Sequence, residues 1–147
     1  MYEPIRTKSV HSTMAGTTSD FPHRSREEEL DIQLAGHLAA LLAVTDELRT
    51  LAPSTDLDTA AERLAAQVAR LRGGRAPVRV PVAADAVAGA GEVPALHRRA
   101  HALAGRALVV AASRADTAAA ILAAERMDAH TAAVQEEPSQ ELSGAAH

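Results

Sequence analysis

The sequence predicts an all-α protein, a helical hairpin followed by one long C-terminal helix, and three observations carry this prediction. Apolar residues recur at alternating spacings of four and three in three separate stretches. Serine, proline and glycine stand where helices begin and end. The chain has 147 residues, of which 47% are hydrophobic but only 1% aromatic, so its core must be aliphatic. We expect a three-helix bundle that is completed by dimerisation.

The first helix is predicted to run from Ser25 to about Ala52. Ser25 and Glu28 have the spacing of a capping box, and Pro53 ends the helix. Its stripe, which is apolar apart from one histidine, consists of Leu30, Leu34, His37, Leu41, Val44, Leu48 and Leu51. A helix with such a stripe must bury it against other helices.

The second helix follows after a short turn and can be capped by Ser54, Asp56 or Asp58. Gly73 and Gly74 end it, because glycine readily adopts the left-handed conformation found just after helices. Its stripe consists of Leu57, Ala61, Leu64, Val68 and Leu71. Two striped helices joined by a tight turn predict an antiparallel hairpin.

Residues 73–93 are predicted to form a linker. The alternation of valine and arginine from Val78 to Val82 favours extended backbone, whereas Pro77 and Pro81 argue against a central strand. The bundle domain is then residues 25–134, and the polar segments 1–24 and 135–147, the second of them acidic, are expected to be disordered tails. Met14 is an alternative to Met1 as the first residue.

The third helix is predicted from Val93 and Pro94 to about residue 134, since proline is well tolerated in a first turn. Between about residues 107 and 124 it is apolar or small on two sides, so it needs two sets of neighbours. We expect the hairpin to cover one side and a second copy, or a foreign helical protein, to cover the other. The residues predicted to bind this partner are Leu108, Ala112, Ala115, Ala119 and Leu122.

Composition excludes several classes of function. The chain contains no cysteine, which rules out disulfides, thiolate metal sites and cysteine nucleophiles. The first residues lack the apolar run of a signal peptide, and the most apolar stretch is interrupted by Arg114 and Asp116, so we expect no membrane span. These features favour a cytoplasmic protein.

His97 and His101 are one helical turn apart and could offer two ligands to one metal ion. Arg98 stands where a metalloprotease motif requires glutamate, and two arginines beside the histidines oppose a cation. His37 and His130 could complete such a site only if the fold brings them near. The preferred interpretation is that these histidines are structural, and we expect no metal site.

Charge is segregated along the chain, although the net charge is only −4. The first helix is acidic, whereas arginines dominate from Arg63 to Arg114, and the simplest interpretation is that the two regions attract each other within the bundle. The alternative is a nucleic-acid patch around the linker and the start of the last helix. Its candidate residues are Arg70, Arg72, Arg75, Arg79, Arg98 and Arg99.

No nucleophile motif, phosphate-binding loop or cofactor fingerprint is present. We therefore expect no catalytic residue, no cofactor and no enzymatic activity. The leading hypothesis is a small helical interaction protein, an adaptor, regulator or assembly factor, that acts by helix–helix association with itself or with a helical partner. Nucleic-acid association through the arginines is the alternative hypothesis.

Overall fold

The computed structural model describes residues 24–82 and 92–146, with side chains up to residue 136. These ranges contain four α-helices and no strand: α1 (Arg26–Leu51), α2 (Thr55–Leu71), α3 (Val93–Arg114) and α4 (Thr117–Ala146). The predicted all-α class is confirmed, but the predicted count of three helices is wrong. Most of the tail predicted over residues 1–24 lies outside the described residues.

The first two helices begin at serine caps, as the sequence indicates. Ser25 forms a complete capping box, since its Oγ accepts from the Glu28 N–H at 3.1 Å and its own N–H donates to Glu28 Oε1 at 2.8 Å. Ser54 Oγ accepts from the Leu57 N–H at 3.1 Å. Each cap satisfies a backbone N–H that has no partner inside its helix.

The predicted long C-terminal helix is in fact two helices. Ala115 has a left-handed backbone (φ 59°), and the Asp116 N–H donates to the Ala111 carbonyl at 2.9 Å, which closes α3. Asp116 Oδ1 then accepts from the Ala119 N–H at 3.2 Å and caps α4. The predicted helix was continued through this point because alanine is the best helix former and gives no stop signal. α4 also extends to Ala146, beyond the predicted end near residue 134.

Ion pairs between helices show how the four helices run. Arg114 at the end of α3 pairs with Asp31 near the start of α1 (Nε to Oδ1, 3.1 Å), so these helices are antiparallel. Arg126 of α4 pairs with Asp56 at the start of α2 (Nη1 to Oδ2, 3.1 Å). With α1 and α2 forming the predicted antiparallel hairpin, α2 and α3 run in the same direction. The end of α2 and the start of α3 therefore lie at opposite ends of the bundle.

α1 packs against α2 and α3, and α3 packs against α1 and α4, whereas α4 contacts α2 only lightly. The core is aliphatic, as the composition requires. Its fully buried large residues on α1 and α2 are Leu34, Leu38, Leu41, Leu42, Val44, Leu48, Leu64 and Val68. Small residues of α3, Ala100, Ala104, Ala107 and Ala111, let its backbone approach the neighbouring helices closely.

We call residues 77–82 the crossover segment, because they lie against α1 on the return path between α2 and α3. This segment has neither helix nor strand. Among the helices of the described part of the chain, none combines the length and the apolar character needed to cross a membrane.

Candidate functional site

The most unusual polar group in the molecule is His130, whose side chain is wholly buried between α4 and α3. Its Nδ1 lies 2.9 Å from Nδ1 of His97, with the ring centroids 5.1 Å apart. Its Nε2 lies 3.3 Å from Nη2 of Arg126, one turn earlier on α4. Both ring nitrogens therefore have partners, as burial of a polar ring requires.

These contacts determine where the protons lie. A guanidinium can only donate, so Nε2 of His130 accepts and the ring proton is on Nδ1. That proton is donated to Nδ1 of His97, whose own proton is therefore on Nε2. His130 is neutral in this arrangement. Burial, together with the positive charge of Arg126, lowers the pKa of His130 to about 3.

Arg126 is a buried cation, with 4% of its surface exposed. Its Nη1 donates to both carboxylate oxygens of Asp56 at 3.1 and 3.3 Å, while its Nε has no hydrogen-bond partner. A buried charge of this kind needs its partner, since an unpaired one is strongly destabilising. The chain Asp56–Arg126–His130–His97 thus connects α2, α4 and α3 through polar contacts.

The predicted metal ligands are only partly brought together. His97 contacts His130 of α4, whereas His101 lines an adjoining cleft of about 380 Å³ together with Arg98 and His130. His97 and His130 are hydrogen-bonded to each other and stand beside a guanidinium, so the geometry favours a structural contact. Within residues 24–82 and 92–146, no cluster of three or more potential ligands could hold a metal ion.

The five predicted partner-binding residues do not share one face. Ala119 and Leu122 are buried in the core, and Leu108 is half-buried against it. Ala112 and Ala115 are exposed. α4 folds back on α3, so the second side is covered only in part: Leu108 is half-buried, whereas Ala112 and Ala115 stay open. The predicted continuous face depended on a single helix running through Ala115, where the chain in fact turns. Partner binding by the exposed Ala112 and Ala115 stays a prediction.

The six candidate arginines do not form one surface either. Arg70 pairs with Asp116 just beyond the end of α3 (Nη2 to Oδ2, 2.8 Å), about seventeen residues or roughly 26 Å along α3 from Arg98 and Arg99. Arg79 pairs with Asp46 of α1. These pairs agree with the interpretation that arginines balance the acidic helices. Nucleic-acid binding stays a prediction without a single patch to support it.

The crossover segment is held on α1 by Arg79. Its Nη2 donates to Asp46 Oδ1 at 2.7 Å and its Nε to Oδ2 at 3.1 Å, while Arg49 donates to Asp46 Oδ1 at 3.0 Å. Partial burial raises the pKa of Asp46, but the hydrogen bonds from Arg79 and Arg49 prevail and hold that pKa below its usual range. A cleft of about 450 Å³ remains between this segment and Ala39, Leu42 and Ala43.

Two features were not predicted from the sequence: the attachment of the crossover segment to α1 and the burial of Arg126. The crossover segment was predicted only as a linker, although the spacing of its prolines could be read from the sequence. The burial of Arg126 was missed because one arginine in a surface-like pattern gives no signal of burial.

The chain matches no protein-family model, no curated protein and no solved structure.

Proposed function

We propose that this protein is a non-enzymatic helical interaction protein, an adaptor, regulator or assembly factor, that works as a homodimer through the end of the α3–α4 hairpin. The observation that carries the proposal is an open groove of about 300 Å³ at that end. Nearly all its lining is apolar, and it includes the exposed Ala112 and Ala115 of α3 and the half-exposed Ile121 of α4.

One large apolar side chain projects from α3 near this groove. Val109, one turn before Ala112 on α3, is 67% exposed. Large apolar side chains exposed next to an apolar hollow are typical of association surfaces. The small side chains of the groove also allow another helix to approach closely.

A second copy fits this surface better than an unrelated helix does. An isologous dimer needs a self-complementary surface, on which a projection of one copy meets a hollow of the other. Val109 and the groove supply a projection and a hollow side by side. Around a two-fold axis, Val109 of each copy would enter the groove of its partner, and the exposed Ile121 would be covered.

The substitution Ala112→Arg tests this proposal. A charged side chain in the floor of an apolar interface must be desolvated without a partner, so we expect dimerisation to be lost. Light scattering after size-exclusion chromatography, over a range of protein concentrations and at low and high salt, gives the mass. Circular dichroism should show unchanged helicity, because Ala112 is exposed in the monomer.

Ala102→Arg is the matched control, since Ala102 is also exposed on α3 but lies about 15 Å along the helix from Ala112. It should leave the dimer intact. A wild-type protein that is monomeric at every concentration, or a dimer that survives Ala112→Arg, would show that the groove is not the association surface.

A further inference from the structure

The crossover segment is unusual because its backbone is exposed, held in place and unpaired. Arg79 fixes its middle to Asp46, while Val78 and Val80 are 92% and 77% exposed. Within the described residues, none of residues 77–82 takes part in a backbone–backbone hydrogen bond. Two valines exposed to this extent add little to the packing of the described residues.

From Val78 to Val80 the side chains alternate as those of a strand do. Val78 and Val80 are largely exposed at the rim of the cleft on α1, and Arg79 between them reaches Asp46 of α1. The prolines contribute to this conformation, since a residue that precedes proline is restricted to extended backbone. Ala76 and Val80 each precede one.

The two edges of this segment are not equivalent. In a strand, the N–H and C=O of successive residues point to opposite edges, so residues 78, 80 and 82 share one edge and residues 77, 79 and 81 share the other. Pro77 and Pro81 both fall on the second edge, where they remove two of three donors. The first edge keeps every N–H and C=O.

We propose that the crossover segment is a second interaction surface, which adds as a strand to the exposed edge of a β-sheet in a partner protein. Such addition gives affinity through main-chain hydrogen bonds and specificity through alternate side chains. Here Val78 and Val80 would supply the side-chain contacts. The prolines would limit the addition to one edge and so prevent continued strand-by-strand association.

The partner is a foreign sheet and not a second copy of this chain. The described residues contain no strand, so a second copy could offer only its own crossover segment. A two-stranded ribbon of this length is marginal in water, whereas an existing sheet supplies a preformed edge. The cleft beside this surface shares no lining residue with the α3–α4 groove, and the inference does not depend on the proposed dimer.

The positive charge beside the crossover segment indicates a further property of the partner strand. Arg72 and Arg75 are exposed where the chain leaves α2 and enters the crossover segment, and neither pairs with a carboxylate among the described residues. A partner edge strand that carries β-branched residues opposite the valines and a carboxylate at the end near Arg75 matches both features.

The probe for this proposal is a short peptide of alternating valine and threonine with a glutamate at each end, N-methylated at alternate residues so that only one edge can pair. Amide hydrogen exchange of the labelled full-length protein is followed by NMR as the peptide is added. We expect exchange to slow by about tenfold or more at Val78, Val80 and Val82 and to stay unchanged at Arg79. A peptide N-methylated at every residue is the control and should have no effect.

Two substitutions separate the backbone from the side chain. Val80→Pro removes the central N–H of the free edge and should weaken binding by roughly tenfold or more. Val80→Ala keeps this N–H, so protection should persist with weaker affinity. No protection with the one-edged peptide, protection that includes Arg79, or binding unaffected by Val80→Pro would each overturn the proposal. So would concentration-dependent protection without peptide, which would make the occupant a second copy.

Discussion

His130 is a neutral ring held between two partners, and its protonation would disturb both contacts. A proton on Nε2 would face the Arg126 guanidinium, donor against donor. The other groups around the ring are His97 and His101 of α3, which oppose an added positive charge, and Asp56 of α2, which favours it. Burial and the charge of Arg126 are the two largest effects, and they outweigh the attraction of Asp56. The folded protein therefore resists protonation of His130.

This resistance predicts a pH dependence of stability. The pKa of His130 is about 3 in the folded protein and about 6.5 when the chain is unfolded. Between these values the unfolded chain binds one more proton, so the free energy of unfolding falls as the pH falls, by about 1.4 kcal/mol per unit. Above about pH 6.5 the His130 ring is neutral in both the folded and the unfolded chain, so it causes no loss of stability there. Urea denaturation at intervals from pH 7 to pH 4 measures it.

His130→Gln should remove this slope, and His101→Gln should keep it because His101 is half-exposed. The carboxyls of Asp46 and Asp116 have lowered pKa values, since hydrogen bonds from arginines outweigh partial burial. Their contribution is lost only below about pH 4. A wild-type slope that is unchanged in His130→Gln would contradict the assignment.

At the scale of the elements, α2 and α3 end in the same hydrogen-bond pattern with different residues. Gly74 N–H donates to the Ala69 carbonyl at 2.7 Å, and Asp116 N–H donates to the Ala111 carbonyl at 2.9 Å. The left-handed residue is Gly73 in the first case and Ala115 in the second. Only glycine adopts that conformation without a steric cost. The turn at Ala115 is therefore imposed by the packing of α4 on α3.

Ala115→Gly is expected to stabilise the protein by roughly 0.5 to 1 kcal/mol. Relief of the left-handed alanine favours the folded state by about 1 kcal/mol or more, and the greater freedom of glycine in the unfolded chain offsets part of this gain. Thermal and urea denaturation measure the change.

The control is Ala102→Gly, within α3 and also exposed, which should destabilise the protein by about 1 kcal/mol. The two substitutions are chemically the same and should have opposite signs. Destabilisation by both would mean that α3 continues through Ala115 as one helix.

At the scale of the whole molecule, most of the large, fully buried side chains lie on α1. Leu38 has no exposed surface and lies in the core, on the helix that contacts both α2 and α3. Leu51, at the end of the same helix, is only partly buried. The ion pairs at the surface, such as Arg63 with Glu125, contribute less because water and salt screen them.

Leu38→Ala is therefore expected to cost about 2 to 5 kcal/mol, from lost burial and from the cavity left behind. Leu51→Ala should cost about 1 kcal/mol, because water can occupy the vacated space. Urea denaturation of both variants compares them. Equal losses would show that Leu38 is no better buried in the folded protein than Leu51.

Much of this fold could be predicted from the sequence. The serine caps, the stop at Pro53, the glycine end of α2 and the aliphatic stripes of the hairpin depend on local rules, and the structure agrees with each of them. The break at Ala115 could not be predicted, since alanine favours helix and Asp116 alone is a weak cap signal. This missed break affected the predicted partner-binding surface most. Ala119 and Leu122 were placed on it as part of one continuous helix, whereas they belong to α4 and are buried.

The sequence by itself determined the helical class, the aliphatic core and the exclusion of cysteine chemistry, since composition and spacing of three and four act within one element. Only the tertiary structure decided that α4 packs against α3, that His130 meets His97, and that Arg79 holds the crossover segment on α1. The last two contacts each join residues thirty-three positions apart. Their geometry depends on how whole helices pack, and no local pattern contains that information.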